Sequence, residues 1–98
     1  MEFSHIPVLL QPCLEGLAID PAGIYLDGTA GGAGHSREIA KRLTTGRLIA
    51  LDQDPDAVAI AAERLKGLPA QVVRANFRQA AEVLDSLNIP TINGALLD

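Results

Sequence analysis

Asp27 opens the stretch Asp27-Gly28-Thr29-Ala30-Gly31-Gly32-Ala33-Gly34-His35-Ser36, in which four glycines separate a carboxylate from a hydroxyl. Glycine reaches backbone conformations closed to other residues and lets a bound group approach the main chain. Asp52 follows Gly31 by 21 residues, and Asp98 closes the last apolar run, Gly94-Ala95-Leu96-Leu97. A carboxylate carries two acceptor oxygens, suited to a pair of vicinal hydroxyls. A glycine loop followed by an acid about 20 residues later is the spacing at which that acid takes ribose hydroxyls. Asp54 competes for the role, but it precedes Pro55, the pattern of a helix cap followed by proline at the first helical position.

The loop needs elements to hold it. Before it, the apolar run Ile24-Tyr25-Leu26 stops at Asp27; after it, an amphipathic segment enters at Ser36. That outline is strand, glycine turn and helix, and the free N–H groups of the helix start favour an anionic group. A phosphate loop requires Lys and then Ser or Thr after its last glycine, whereas Gly34 is followed by His35-Ser36. A dinucleotide fingerprint requires a third glycine where this chain has Arg37. S-adenosylmethionine, which offers a carboxylate and an adenosine but no phosphate, is the remaining candidate. Its generic motif places glycines two, four and six residues after the acid. Here those positions are Thr29, Gly31 and Ala33, so one of three is in register. At this point the residues indicate a nucleoside site, leave the cofactor open, and allow a glycine loop that merely turns the chain.

Composition narrows the class. Ninety-eight residues make one small domain, less than a doubly wound sheet usually needs. A formal net charge of −4 with scattered basic residues gives no electrostatic footprint for nucleic acid. Cys13 is the single cysteine, so no internal disulfide forms, which fits a reducing cytosol. No apolar run approaches the roughly 18 residues of a membrane span. The start Met1-Glu2-Phe3-Ser4-His5 lacks the features of a signal peptide. A cytoplasmic protein without a metal site is expected.

Along the chain, His5-Ile6-Pro7-Val8-Leu9-Leu10 reads as an extended entry, and a short helix is expected from Pro12 with Leu14, Leu17 and Ala18 on its inner face. Asp20-Pro21-Ala22-Gly23 is a turn. Ile24–Leu26 forms the first strand of an alternating pattern, and Ser36 is expected to cap a helix that buries Ile39, Ala40 and Leu43 and ends near Gly46. Arg47–Asp52 reads as a second strand covered on both faces. Val58, Ala61, Ala62 and Leu65 recur at helical spacing until Gly67. Gln71–Arg74 is a third strand, a helix spans about Arg78 to Leu87 with Asn76 as a possible cap, and Gly94–Asp98 is a fourth strand. Single helices between strands predict a parallel sheet. The first strand is then central, with the second and third to one side and the fourth to the other. A ligand crevice is expected at the carboxyl ends of the first and fourth. The far edge of that fourth strand is expected to be unpaired and to promote self-association.

The residues also resemble the bacterial small-subunit (16S) ribosomal RNA (cytosine-N4)-methyltransferase family. The matching pieces are His5-x-Pro7-Val8-Leu9-Leu10, Tyr25-Leu26-Asp27-Gly28-Thr29, Gly31-x-Ala33-Gly34-His35-Ser36, Gly46 through Pro55 with Ala57, Asn76-Phe77 and Gly94 through Asp98. They run through essentially the whole chain in order. Gly-His-Ser after the loop and Asp-Gln-Asp-Pro after the second strand are the specific parts; Ala33 stands where the family usually has glycine. The resemblance implies an α/β fold, the N-terminal half of a Rossmann-like S-adenosylmethionine-dependent methyltransferase with a parallel sheet and flanking helices. It puts Ala33, Gly34 and His35 around the methionine end of the cofactor, Asp52 on the ribose, Phe77 beside the adenine and Asp98 at the fourth strand end. The implied reaction is attack of a cytosine exocyclic amine on the sulfonium methyl. Ribosomal RNA in the small subunit would be bound through regions largely outside residues 1–98, which form a partial cofactor-binding domain lacking the family's inserted helical domain and C-terminal strands. The resemblance assigns no catalytic residue here. Two other readings stay open: a Rossmann-like methyltransferase acting on a small molecule or protein, and a non-enzymatic nucleotide-binding module.

Overall fold

The computed structural model describes residues 8–9, 19–28 and 34–96. Five parallel strands form one sheet in the order β1-β5-β2-β3-β4. The strands are β1 Val8–Leu9, β2 Ile24–Asp27, β3 Arg47–Asp52, β4 Ala70–Arg74 and β5 Gly94–Leu96. Helices α1 Gly34–Ala40, α2 Pro55–Arg64 and α3 Ala80–Ser86 connect them, the last preceded by a 3₁₀ turn, Phe77–Gln79. β2 lies between β5 and β3, as the alternating pattern predicts.

Two apolar layers flank the sheet because strand side chains alternate between faces. Tyr25, Leu48 and Ala50 pack with Ile39, Ala40 and Leu43 and with Ala61 and Leu65 of the α2 region. On the other face Leu26, Ile49, Leu51 and Ala95 pack with Ala80, Leu84 and Ile89. β3 contributes Leu48 and Ala50 to one layer and Ile49 and Leu51 to the other, all buried. This double coverage explains its unbroken apolar run.

The caps follow the local chemistry. The Asp54 carboxylate accepts from the Asp56 N–H at 2.9 Å and caps α2, with Pro55 at its first position. Asn76 and Gln79 form a reciprocal capping box at the 3₁₀ turn. After α3 the chain reverses through Asn88, whose φ of 58° is left-handed. The Asn88 N–H donates to Asp85 O at 3.1 Å and the Ile89 N–H to Leu84 O at 2.9 Å, the two bonds of a Schellman turn.

Several expectations are corrected. The edge of β5 is not open: Val8 and Leu9 pair in parallel with Ala95 and Leu96. An extended, proline-entered segment with apolar residues is well suited to supply that strand. Ser36 does not cap α1. The helix begins at Gly34, and the Ser36 hydroxyl instead donates to the buried Asp27 carboxylate. α1 ends at Ala40 and continues as turns toward Gly46, with Leu43 still buried. Ala62 is exposed, since α2 turns Ala61 and Leu65 inward and leaves Ala62 on its solvent side. The helix expected from Pro12 lies outside the described residues, as do Cys13, Ala33, Leu97 and Asp98.

Candidate functional site

The carboxyl ends of the strands gather the residues of interest. Asp27 ends β2 with no exposed surface, and its carboxylate accepts from the Ser36 hydroxyl, itself fully buried. Gly28 follows, and the ring of Phe77 lies against it. A Cβ on Gly28 would sit 2.8 Å from Phe77 Cδ2, so the absence of a side chain sets how closely the ring approaches. Phe77 itself is half-buried and packs on the layer formed by Leu51, Ala75 and Ala80.

Asp52 ends β3. Its Oδ1 accepts from the Asp54 N–H at 2.9 Å, and its main-chain carbonyl accepts from the Ala75 N–H at 2.9 Å. These two bonds fix the carboxylate, while Oδ2 accepts from none of the described residues. The neighbouring Gln53 carbonyl accepts from Arg74 Nε at 3.2 Å, which ties the loop after β3 to the end of β4. At the start of the 3₁₀ turn, Gln79 N–H donates to Asn76 Oδ1 at 3.1 Å and Asn76 N–H to Gln79 Oε1 at 3.0 Å. That box determines where Phe77 begins.

Between these groups lies an open hollow of about 120 Å³, bounded by Gly28, by Leu51 through Gln53, and by Ala75 through Phe77. It brings together Asp52 and Phe77, which are 25 residues apart in sequence. Asp52 is the one ionisable group among its described lining residues. The hollow thus sets one carboxylate beside one aromatic ring. A larger hollow of about 300 Å³, between Asp85, Asn88, Ile89 and Pro90, lies at the opposite edge of the sheet, where α3 returns toward β5. It belongs to the Schellman turn and contains none of the sequence candidates. Among the described residues no cluster of His, Cys, Asp and Glu could hold a metal ion.

Of the sequence candidates, Asp52 and Phe77 line the same hollow. The backbone of Gly34 and His35 forms the first turn of α1. Ala33 and Asp98 lie outside the described residues. Sequence reasoning missed Gly28 as the floor beneath Phe77, and a glycine directly after a strand-ending acid was the available signal. It also missed the Asp27–Ser36 pair, for which a nine-residue separation gives no periodic cue.

Comparison with known proteins places these features in context. Residues 2–98 match a family model described as the MraW methylase family. A protein of Lachnospira eligens called ribosomal RNA small subunit methyltransferase H is 55% identical over 101 residues, covering 100% of this chain and 32% of that relative. Ribosomal RNA small subunit methyltransferase H 2 of Agathobacter rectalis and ribosomal RNA small subunit methyltransferase H of Finegoldia magna are 52% and 46% identical, again over 100% of this chain and 32% of their own length. The chain thus spans about a third of the length of the curated relatives it matches. Among solved structures, a Clostridium thermocellum protein described as a putative rRNA-methylase superposes with a TM-score of 0.62 at 16% identity, covering 65% of this chain and 37% of its own. That similarity concerns the fold.

Proposed function

The chain belongs to the MraW methylase family, and from that premise we propose that the intact protein methylates the N4 amine of a cytidine in small-subunit ribosomal RNA, using S-adenosylmethionine. Residues 1–98 supply a partial cofactor-binding domain, and the RNA is held mainly by surface beyond it. The observation that carries this reading is the hollow where Asp52 and Phe77 meet over Gly28. A carboxylate with one oxygen held by the Asp54 N–H and the other accepting from none of the described residues suits paired ribose hydroxyls. A half-buried aromatic ring beside it suits a purine, because stacked rings gain attraction at offset geometry.

In this reading Asp52 holds the ribose and Phe77 borders the adenine. Ala33, Gly34 and His35 surround the methionine end, and Asp98 stands at the end of the last strand. The bound sulfonium supplies an electrophilic methyl group for an attacking amine. The net charge of −4 agrees with a chain whose main duty is the cofactor rather than RNA. None of the described helices is long and apolar enough to cross a membrane. The site of action would be the cytoplasm, with the ribosomal substrate.

Competition calorimetry on the full-length protein tests the cofactor. S-adenosylhomocysteine is expected to bind, and NAD to leave that binding undisturbed, because Arg37 replaces the glycine that a pyrophosphate turn packs against. Comparable binding of NAD would overturn the reading.

A further inference from the structure

The Asp27 carboxylate and the Ser36 hydroxyl are hydrogen-bonded to each other with no exposed surface on either residue. Burying a carboxylate is costly unless hydrogen bonds compensate it, and an apolar pair of similar volume would serve packing at least as well. What such a bond provides is geometry. Asp27 is locked into the sheet, in register with Ala50 on one side and Leu96 on the other. Ser36 is the third residue of α1, directly after Gly34 and His35.

We propose that Asp27 and Ser36 are positioning residues, a clasp that sets the first turn of α1 against the end of β2 and so places Gly34 and His35 toward the methionine end of the cofactor. The inference rests on the cofactor reading above and deepens it. The remaining anchors of α1, Ile39 and Ala40, sit in its second half within the apolar layer. The clasp is the tie that the described side chains show between that first turn and the end of β2. The adenosine end is held differently. Asp52 is fixed by the Asp54 N–H, and Phe77 by the Asn76–Gln79 box and its packing. The clasp therefore acts on one end of the ligand and leaves the other alone.

That division makes the test. S-adenosylhomocysteine and 5′-methylthioadenosine share the adenosine, but the second lacks the amino-acid end. In the full-length protein, Ser36→Ala is expected to weaken S-adenosylhomocysteine binding about tenfold and to leave methylthioadenosine affinity unchanged. Asp27→Asn keeps an amide oxygen that accepts from the hydroxyl, and is expected to weaken S-adenosylhomocysteine binding less than Ser36→Ala does. Should Ser36→Ala fail to fold, Ser36→Cys keeps the volume with a weaker donor and carries the same comparison. Equal weakening toward both ligands, no weakening toward either, or an Asp27→Asn loss as large as that of Ser36→Ala would overturn the clasp. A wild type that binds neither ligand is a distinct result, which removes the cofactor reading and this inference with it.

Discussion

Asp52 and Asp54 are two residues apart and have opposite tasks. Asp54 spends its carboxylate on the Asp56 N–H at the head of α2, while Asp52 is oriented by the Asp54 N–H and faces the hollow with Gly28 and Phe77. Asp52→Ala is therefore expected to weaken S-adenosylhomocysteine binding at least tenfold, since hydrogen bonds to a charged group contribute roughly 1.5–3 kcal/mol each. Asp54→Ala removes a cap and is expected to lower stability by about 1 kcal/mol with affinity within a few-fold of the wild type. Calorimetric titration paired with denaturant unfolding separates the two. Equal affinities in both variants would take Asp52 out of the site.

At the scale of elements, two turns hold the sheet and helices in register. Gly46 approaches the turn before β2 so closely that a Cβ would lie 2.1 Å from the Gly23 carbonyl oxygen. The same approach lets the Thr44 and Gly46 N–H groups donate to Pro21 O at 2.8 and 2.9 Å. Gly46→Ala must push backbone against backbone, and a loss of about 3 kcal/mol is expected from chemical denaturation. Asn88, in the turn that leads from α3 back to β5, occupies a left-handed conformation that an alanine enters only at a cost of roughly 1–2 kcal/mol. Asn88→Ala should lose about 1 kcal/mol, and Asn88→Gly should remain within about 0.5 kcal/mol of the wild type. A reversed order in thermal unfolding would mean that the side chain, not the backbone angle, matters there.

For the molecule as a whole, the strand Val8–Leu9 changes what the sheet exposes. β5 has β2 on one side and β1 on the other, so its N–H and C=O groups are not left as a template for another copy. Replacing both Val8 and Leu9 by proline removes the donors and the pairing, since proline has no N–H. The doubly substituted chain is expected to scatter more light at high concentration and to unfold earlier than the unsubstituted chain. Identical scattering and unfolding would mean that the β1 pairing contributes nothing to solubility or stability.

The sequence by itself determined the alternation of strands and helices, the central position of β2 and the cap at Asp54. Each of these is written in local chemistry: apolar period or proline placement. Tertiary structure decided what long-range contact controls. The Phe77 ring meets Gly28 only because β2 and β4 flank β3 and leave their carboxyl ends at one edge of the sheet. Ser36 turned from an expected cap into the partner of Asp27 because a buried carboxylate at the end of β2 faced the first turn of α1. Val8 and Leu9 became a strand because β5 offered them an edge. An extended segment has no hydrogen-bond partner of its own, so nothing within those residues could announce where the partner lies.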